Sequence, residues 1–356
     1  MFIKEIELEN FRNYENQKIS LNKDINIIYG NNAQGKTNII ESVFLCALGK
    51  SFRSKKDKEL IKFDKNEAIV NVKYQRSDRE GEIKAVLNDK KTFFINGVKQ
   101  QKISDIIGKI NVVIFTPDDI DIVKEGPARR RKFLDILISS LKPKYIYLLN
   151  NYNNLLEQRN NYLRQIKFEG KSKELLDILD EQLTEYSYNI YMYRKEYIEK
   201  IENRIDVFHN LKTKSGKENI KIKYISNFKD KDSFMKKIKQ NQDIDIQKGY
   251  TTIGIHRDDF EIYINDKLVY VYGSQGQQRT SILSLKLSEL DIVKEEINDT
   301  PVLLLDDFMS ELDSIRRNSF LENIKDSQVI LTCTDKIDLE RAADIFYVDN
   351  GICKKE

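Results

Sequence analysis

The sequence predicts a two-lobed α/β protein whose core is split along the chain by a long helical insertion. Three observations carry this. Short β-rich apolar runs, Ile25–Tyr29, Val112–Phe115, Val302–Leu305, Val329–Thr332 and Phe346–Val348, read as buried strands near both ends. The strand at Ile25–Tyr29 runs into a glycine-bracketed loop followed by an amphipathic stretch from Asn38 to Leu48. Between the two sets of strands, apolar residues recur at mixed spacings of three and four.

Length and composition set the bounds. A chain of 356 residues can fill two sizeable cores. Hydrophobic residues at 40% and charged residues at 33% fit a folded globular protein. The net charge of +3 does not by itself argue for a polyanion partner, so any such site has to come from local clustering. Cys46, Cys333 and Cys353 include no pair at metal-ligand spacing, and their odd number argues against a disulfide framework. The opening residues Met1 to Glu7 alternate like a strand and lack the pattern of a signal peptide. No apolar run reaches the roughly 18 residues that suggest a membrane span. The expected compartment is the cytoplasm.

Half-exposed strands are expected at Ala68–Tyr74, Gly81–Leu87 and Phe260–Ile264. In the insertion, Leu141, Tyr145, Leu148, Tyr152, Leu155, Tyr162 and Ile166 follow helical spacing, with Arg159 interrupting. Leu175 to Phe208 repeat the pattern after a link at Lys167–Lys173 that contains Gly170. Antiparallel pairing makes a helical arm, about 141–208, of roughly 40–50 Å. The expected lobes are 1–125 with 296–356, and 126–295 with the arm. No internal repeat is visible. Residues 212–239 hold ten lysines against three acidic residues, which reads more readily as a solvated surface than as a DNA contact.

The loop carries the first chemistry. Gly30-Asn31-Asn32-Ala33-Gln34-Gly35-Lys36-Thr37 matches G-x-x-x-x-G-K-[ST] in the required strand–loop–helix context. Its glycines let backbone N–H groups wrap a phosphate, and the helix dipole favours the anion. Lys36 can reach the β- and γ-phosphates, and the Thr37 hydroxyl can ligate Mg²⁺. ATP with Mg²⁺ is the expected ligand.

Val302–Leu305 ends in Asp306-Asp307. At the carboxyl end of a parallel strand, Asp306 can hold Mg²⁺ and Asp307 can orient the attacking water. Alone this is a weak signal, since many strands end in a turn. It gains weight from Ser274-Gln275-Gly276-Gln277-Gln278-Arg279, which opens a helical pattern through Ile282, Leu285, Leu287 and Leu290. Ser274 there serves either as a plain N-cap or as part of a second phosphate-binding helix start. Each subunit already has its own loop, so the second surface is best used on a partner's nucleotide, two subunits clamping two ATP molecules.

Loop, Ser-x-Gly-Gln-Gln element and strand-Asp-Asp, in that order, resemble the ABC-type ATPases of the chromosome-maintenance and Rad50 branch. Within that branch the whole chain resembles the RecF family of bacterial recombination mediators. Further carrying residues are Asn10-Phe11-Arg12-Asn13-Tyr14, Leu48 to Arg53, Gly126-Pro127 with Arg129-Arg130-Arg131, His256-Arg257-Asp258-Asp259, and Ser310-Glu311-Leu312-Asp313. The resemblance implies an ABC-type ATPase head with a second, mainly helical lobe. It implies that Ser274 to Gln277 cap a partner's ATP, that Ser310 to Asp313 pair across an ATP-dependent homodimer, and that Arg12 lies beside the phosphates. It also implies a weak DNA-stimulated ATPase of DNA repair, replication and the SOS response, gapped or single-strand/double-strand junction DNA, and RecR with RecO as partners. His256 reads as a buried structural histidine, and Ile255 stands where the family pattern has proline. The arm replaces the long coiled coils of larger relatives, whose hinge and Cys-x-x-Cys hook are absent from the sequence.

Basic residues at Lys50–Lys56, Arg53, Lys55 and Lys56 among them, and Arg129, Arg130 and Arg131 are candidate DNA contacts, for which a solvated helix start is an equal account. Phe52 and Phe133 read as core residues. Two rival classes share part of the pattern. A transporter ATPase has Glu after the metal-binding Asp and His after the next strand, where this chain has Asp307 and Thr334. A small-molecule kinase has no use for the Ser274–Gln277 element.

Overall fold

The computed structural model describes residues 1–77, 79–212, 218–311, 320, 324, 326–336 and 342–356; of 210–212 and 310–311 it describes the backbone alone. In chain order come strands β1 (Phe2–Phe11), β2 (Tyr14–Ser20) and β3 (Ile25–Tyr29), then helix α1 (Lys36–Leu48). Strands β4 (Ala68–Arg76), β5 (Arg79–Leu87), β6 (Thr92–Ile95), β7 (Val98–Lys99) and β8 (Val112–Phe115) follow. Helices α2 (Asp121–Lys124), α3 (Pro127–Leu141), α4 (Pro143–Glu169) and α5 (Glu174–Lys212) come next, then β9 (Ile220–Ile225). After α6 (Lys231–Gln240) and α7 (Gln242–Lys248) the chain forms β10 (Asp259–Ile264), β11 (Lys267–Leu268), α8 (Val269–Tyr272) and α9 (Gln275–Ile297). It ends in β12 (Val302–Leu305), β13 (Val329–Cys333), β14 (Ala343–Asp349) and β15 (Ile352–Lys355). Two compact units result, Met1–Asp119 with Glu289–Glu356, and Ile120–Ser288.

The first unit holds two six-stranded sheets. One is antiparallel, in the order β2-β1-β4-β5-β6-β7. The other runs β15-β14-β3-β13-β12-β8 and is parallel from β14 to β8, with β15 antiparallel at its edge. Helix α1 packs against strands of both sheets. Eleven of its residues are buried, which is why its sequence is apolar nearly all round and not along one stripe. The central parallel strands are buried almost throughout, as the unbroken apolar runs require. The register sets Leu305 opposite Phe115 and Leu331, and Cys333 opposite Tyr29, so β3 and β13 run two residues past the ends of β12 and β8.

The second unit is built on the hairpin of α4 and α5. The break before α4 lies at Lys142, whose extended backbone (φ −126°, ψ 93°) is what a following proline imposes. Leu141 therefore ends α3 and does not begin the arm. Arg159, the interruption in the apolar stripe, is fully buried. It donates from Nε to Asp180 (2.6 Å) and from Nη1 to Asp245 (2.7 Å) and Thr251 (2.8 Å). It thereby fastens α4 to α5 and α7, its buried charge met by two carboxylates. Phe52 is half-buried, edge-on against Phe44 in the first unit, and Phe133 is buried in the core against Phe260 in the second.

His256 is structural in its surroundings. Its Nδ1 accepts from the Tyr152 hydroxyl (2.5 Å) and its Nε2 donates to the Thr251 carbonyl (3.1 Å), an arrangement complete with a neutral ring. Burial pushes its pKa down to about 4. Between about pH 4 and 6.5 the folded state binds fewer protons than the unfolded chain, so stability falls as pH falls through that window and is retained in full above it. Acidification from pH 7 to pH 4.5 should therefore cost the wild type about 2 kcal/mol more unfolding free energy than it costs His256→Gln. Urea titrations of both proteins at the two pH values measure this, and equal losses would contradict the buried neutral ring.

Candidate nucleotide site

The loop between β3 and α1 needs its glycines for two separate reasons. Gly30 has φ +150°, and a Cβ there would sit 2.3 Å from the Val348 carbonyl oxygen. Gly35 has φ +117°, and a Cβ there would meet the Asn13 side-chain amide at 2.6 Å. Ala33 takes a left-handed conformation as well (φ 66°). The loop is braced from outside. Asn13 Nδ2 donates to the Gln34 carbonyl (2.7 Å), and the Tyr14 hydroxyl donates to the Gly35 carbonyl (3.1 Å). The turn between β14 and β15 adds two more bonds, from Asn350 N to Gln34 Oε1 (2.6 Å) and from Gly351 N to the Gln34 carbonyl (3.2 Å). Gln34 thus ties the loop to the last hairpin. The backbone N–H groups of Asn31 to Gly35 lie in this held loop at the N-terminus of α1, the arrangement that suits a phosphate.

Lys36 is buried and folds back over the loop, its ammonium donating to the carbonyls of Gly30 (2.7 Å) and Asn31 (2.8 Å). The next residue makes the central contact. Thr37 Oγ1 donates to Asp306 Oδ1 at 2.7 Å, across 269 positions of sequence. Thr332 Oγ1 donates to the same carboxylate oxygen (2.9 Å) and accepts from the Asp307 N–H (3.0 Å). Burial raises the Asp306 pKa, while the two hydroxyls and the positive charge of Arg53 oppose it. Asp307 has φ 46°, a left-handed turn that Asp tolerates, with its N–H held by Thr332. Hard hydroxyl and carboxylate oxygens, gathered beside a held phosphate-type loop, are the donor set that Mg²⁺ selects.

Arg12 also has a left-handed backbone (φ 55°). Its Nε and Nη2 form a two-point pair with the buried carboxylate of Glu41 on α1, each bond 2.8 Å, and Nη1 donates to the Glu59 carbonyl (2.7 Å). Ser51 donates to the same Glu41. The Arg12 turn and the Ser51–Arg53 turn are therefore latched to one helix. Arg53, a candidate DNA contact, donates from Nη1 to Asn38 (3.2 Å), one residue past Thr37, so it belongs to the edge of this site. Lys55 and Lys56 are exposed.

The signature element lies in the second unit and is built separately. Ser274 and Gln277 cap the start of α9 reciprocally: Ser274 N donates to Gln277 Oε1 (2.9 Å), and Gln277 N donates to Ser274 Oγ (3.2 Å). Ser274 and Gln275 are exposed and Gly276 is half-buried. Arg130 and Arg131, read from sequence as candidate DNA contacts, are half-buried and have partners within their own unit. Arg130 makes a two-point pair with Asp259 (2.6 and 2.9 Å), and Arg131 donates to the Asp258 carbonyl (2.8 Å). Arg129 pairs with Glu125 and Asp121. Of the dimer-loop residues, Ser310 and Glu311 end a 3₁₀ turn at Phe308–Glu311, their side chains lying outside the described residues, as do Leu312 and Asp313 altogether. Thr334 follows β13 directly and is exposed.

Sequence reasoning missed Thr332, Glu41 and the Gln34 brace. A signal existed for the first two. Thr332 is a hydroxyl in an otherwise apolar strand run, and Glu41 is a carboxylate in a largely apolar helix. The Gln34 brace left none.

Residues 2–353 match the model of the RecF/RecN/SMC N-terminal domain. The DNA replication and repair protein RecF of Clostridium acetobutylicum is 44% identical over 361 residues, spanning 99% of both chains. A solved structure of the recombination mediator protein RecF with ATP, in the RecFOR pathway, superimposes with a TM-score of 0.93 at 39% identity, covering all of this chain and 97% of the other. An Smc head domain from Pyrococcus furiosus, at 18% identity and a TM-score of 0.56, shares the fold.

The Thr332 hydroxyl serves a buried carboxylate and a backbone N–H at once. Thr332→Val keeps the shape and removes both bonds, so unfolding free energy should drop by about 1–3 kcal/mol. Urea denaturation measures this, and an unchanged midpoint would show that the hydroxyl bridges nothing of consequence.

Proposed function

The chain belongs to the RecF family of ABC-type ATPases, and from that membership and the site above we propose that it is an ATP-gated DNA clamp. In this reading ATP with Mg²⁺ draws two copies into a dimer on gapped or single-strand/double-strand junction DNA. The dimer helps to load recombinase with RecR and RecO, and slow hydrolysis releases it. The carrying observation is the convergence of Lys36, Thr37, Asp306 and Asp307 at the end of the parallel strands, together with an exposed, capped Ser274 element elsewhere in the chain. The names of its relatives, a DNA replication and repair protein and a recombination mediator, support the cellular role.

Each residue has a task in this reading. Lys36, already aimed over the loop, exchanges its two carbonyl partners for phosphate oxygens. The held N–H groups of Asn31 to Gly35 bind the same phosphates without reorganising. Thr37 and Asp306 hold Mg²⁺, which neutralises phosphate charge when bound. Asp307 orients the attacking water and accepts its proton. Arg12 serves the phosphates from its latch on Glu41. The Ser274 hydroxyl accepts from Gln277 within its own cap, leaving its proton to donate to a nucleotide held by the partner copy. Ser310, Glu311, Leu312 and Asp313 pair across the dimer, as the family pattern implies. The DNA contacts in this reading are the exposed Arg53, Lys55 and Lys56 with Arg129, Arg130 and Arg131, and the exposed lysines of residues 221–239 are next in line.

Ser274→Arg separates binding from clamping. ATP affinity of the monomer should stay within about twofold, while the ATP-dependent dimer is lost to the bulky side chain. Sedimentation with and without ATP and gapped DNA decides, and a variant that still dimerises would remove the trans role.

Hydrolysis should be slow. Asp307 is one methylene shorter than the Glu of fast relatives, Thr334 supplies no cation, and half the site arrives with the partner. A base displaced by about an ångström can cost on the order of a hundredfold, so turnover should lie well below about 10 per second. Asp307→Asn should trap ATP in a long-lived dimer on DNA, and Asp307→Glu should raise the rate. Steady-state assays across protein concentration check both; rapid turnover independent of concentration and DNA would contradict the clamp.

A further inference from the structure

Gln277, the second residue of the reciprocal cap, has a side-chain amide whose two ends are both in use. Its Oε1 accepts from the Ser274 N–H, and its Nε2 donates to Glu218 Oε1 at 2.9 Å. Flipping the amide would set an acceptor against a carboxylate and a donor against an N–H, so Glu218 selects the orientation that closes the cap. The other oxygen of Glu218 accepts from His209 Nε2 at 2.9 Å. His209 is fully buried near the end of α5, and its Nδ1 faces Ser284 Oγ on α9 at 3.4 Å. Burial works against the Glu218 carboxylate, yet the Gln277 amide and His209 outweigh it and hold its pKa below the usual range. A polar chain therefore runs from the last turns of the long helix α5, through Glu218 two residues before β9, to the loop that carries Ser274.

We propose that Glu218, seated by His209, is a positioning residue for the signature element: it holds Gln277, and through Gln277 the Ser274 cap, in the geometry that caps a partner's nucleotide. The inference rests on the trans role given to Ser274 above. Neither residue touches the nucleotide. They act on the loop's preorganisation, so their loss costs the dimer and spares the monomer's own site. The chain also makes the loop sensitive to the end of α5, so a partner that shifts this helix changes how readily two copies close.

Two measurements on the full chain test this, with Glu218→Ala and the conservative Glu218→Gln. Gln at 218 keeps a carbonyl that accepts from Gln277, whereas Ala keeps nothing. The first measurement is hydrogen exchange of the 273–278 segment without ATP. Ala should speed exchange at the Ser274 and Gln277 amides by about tenfold or more, and Gln should restore most of the protection. Unchanged exchange in the Ala variant overturns the positioning role, whatever the dimer does. The second is ATP-dependent dimerisation by sedimentation, alongside ATP titration of the monomer. Ala should weaken the dimer by about tenfold with monomer affinity within twofold, and Gln should recover it. If exchange rises as expected but the wild type itself forms no ATP-dependent dimer, the trans role of Ser274 fails and the positioning stands. If the wild type dimerises and Glu218→Ala dimerises equally well, the proposed link from Glu218 to clamping is overturned.

Discussion

The site depends on one buried carboxylate being held by two hydroxyls, Thr37 to Asp306 to Thr332. A carboxylate placed at the edge of an apolar sheet is costly unless its lone pairs are met. Here the two hydroxyls meet it from adjacent positions: one opens the helix after β3, the other sits in β13, and Asp306 itself ends β12. The register allows this because Leu305 lies opposite Leu331, which brings Asp306 level with Thr332. A slip of one residue in β13 would turn Thr332 to the other face of the sheet and leave Asp306 and the Asp307 N–H without their bridge. The apolar packing of β3, β13 and β12 therefore fixes the catalytic geometry, because it fixes the register.

Four arginines do internal work in this protein. Arg12, Arg130, Arg159 and Arg194 each hold a carboxylate or a carbonyl inside their own unit. The planar guanidinium can satisfy several acceptors at once, so a buried arginine with two carboxylates leaves little charge uncompensated. Lysine, a strongly hydrated point charge, stays at the surface of residues 221–239 and at Lys55 and Lys56. In the arginine cluster 129–131, Arg129 pairs locally with Asp121 and Glu125, whereas the partners of Arg130 and Arg131, Asp259 and Asp258, return from about 130 positions later.

The phosphate loop and the two aspartates lie in the first unit, and the capped Ser274 element, with its own buried support, lies in the second. In the function proposed above, chemistry then waits on assembly, which suits a switch better than a fast enzyme.

The phosphate loop, its lysine and threonine, the apolar strand before Asp306 and the two long helices were all legible in the sequence. Each is a local signal: a backbone conformation that demands glycine at stated positions, or a periodicity that reports which face is buried. Three strand runs matched their observed limits from Ile25, Val112 and Val302. Tertiary structure decided what those signals could not encode. Arg159 broke the helical pattern because its carboxylates, Asp180 and Asp245, lie on other helices. Thr332, Glu41, Gln34 and Glu218 gained their roles from partners between 26 and 316 positions away. Hydrogen bonding of buried polar groups depends on distance in space, and a sequence records periodicity along the chain but not which distant donor will meet a given acceptor.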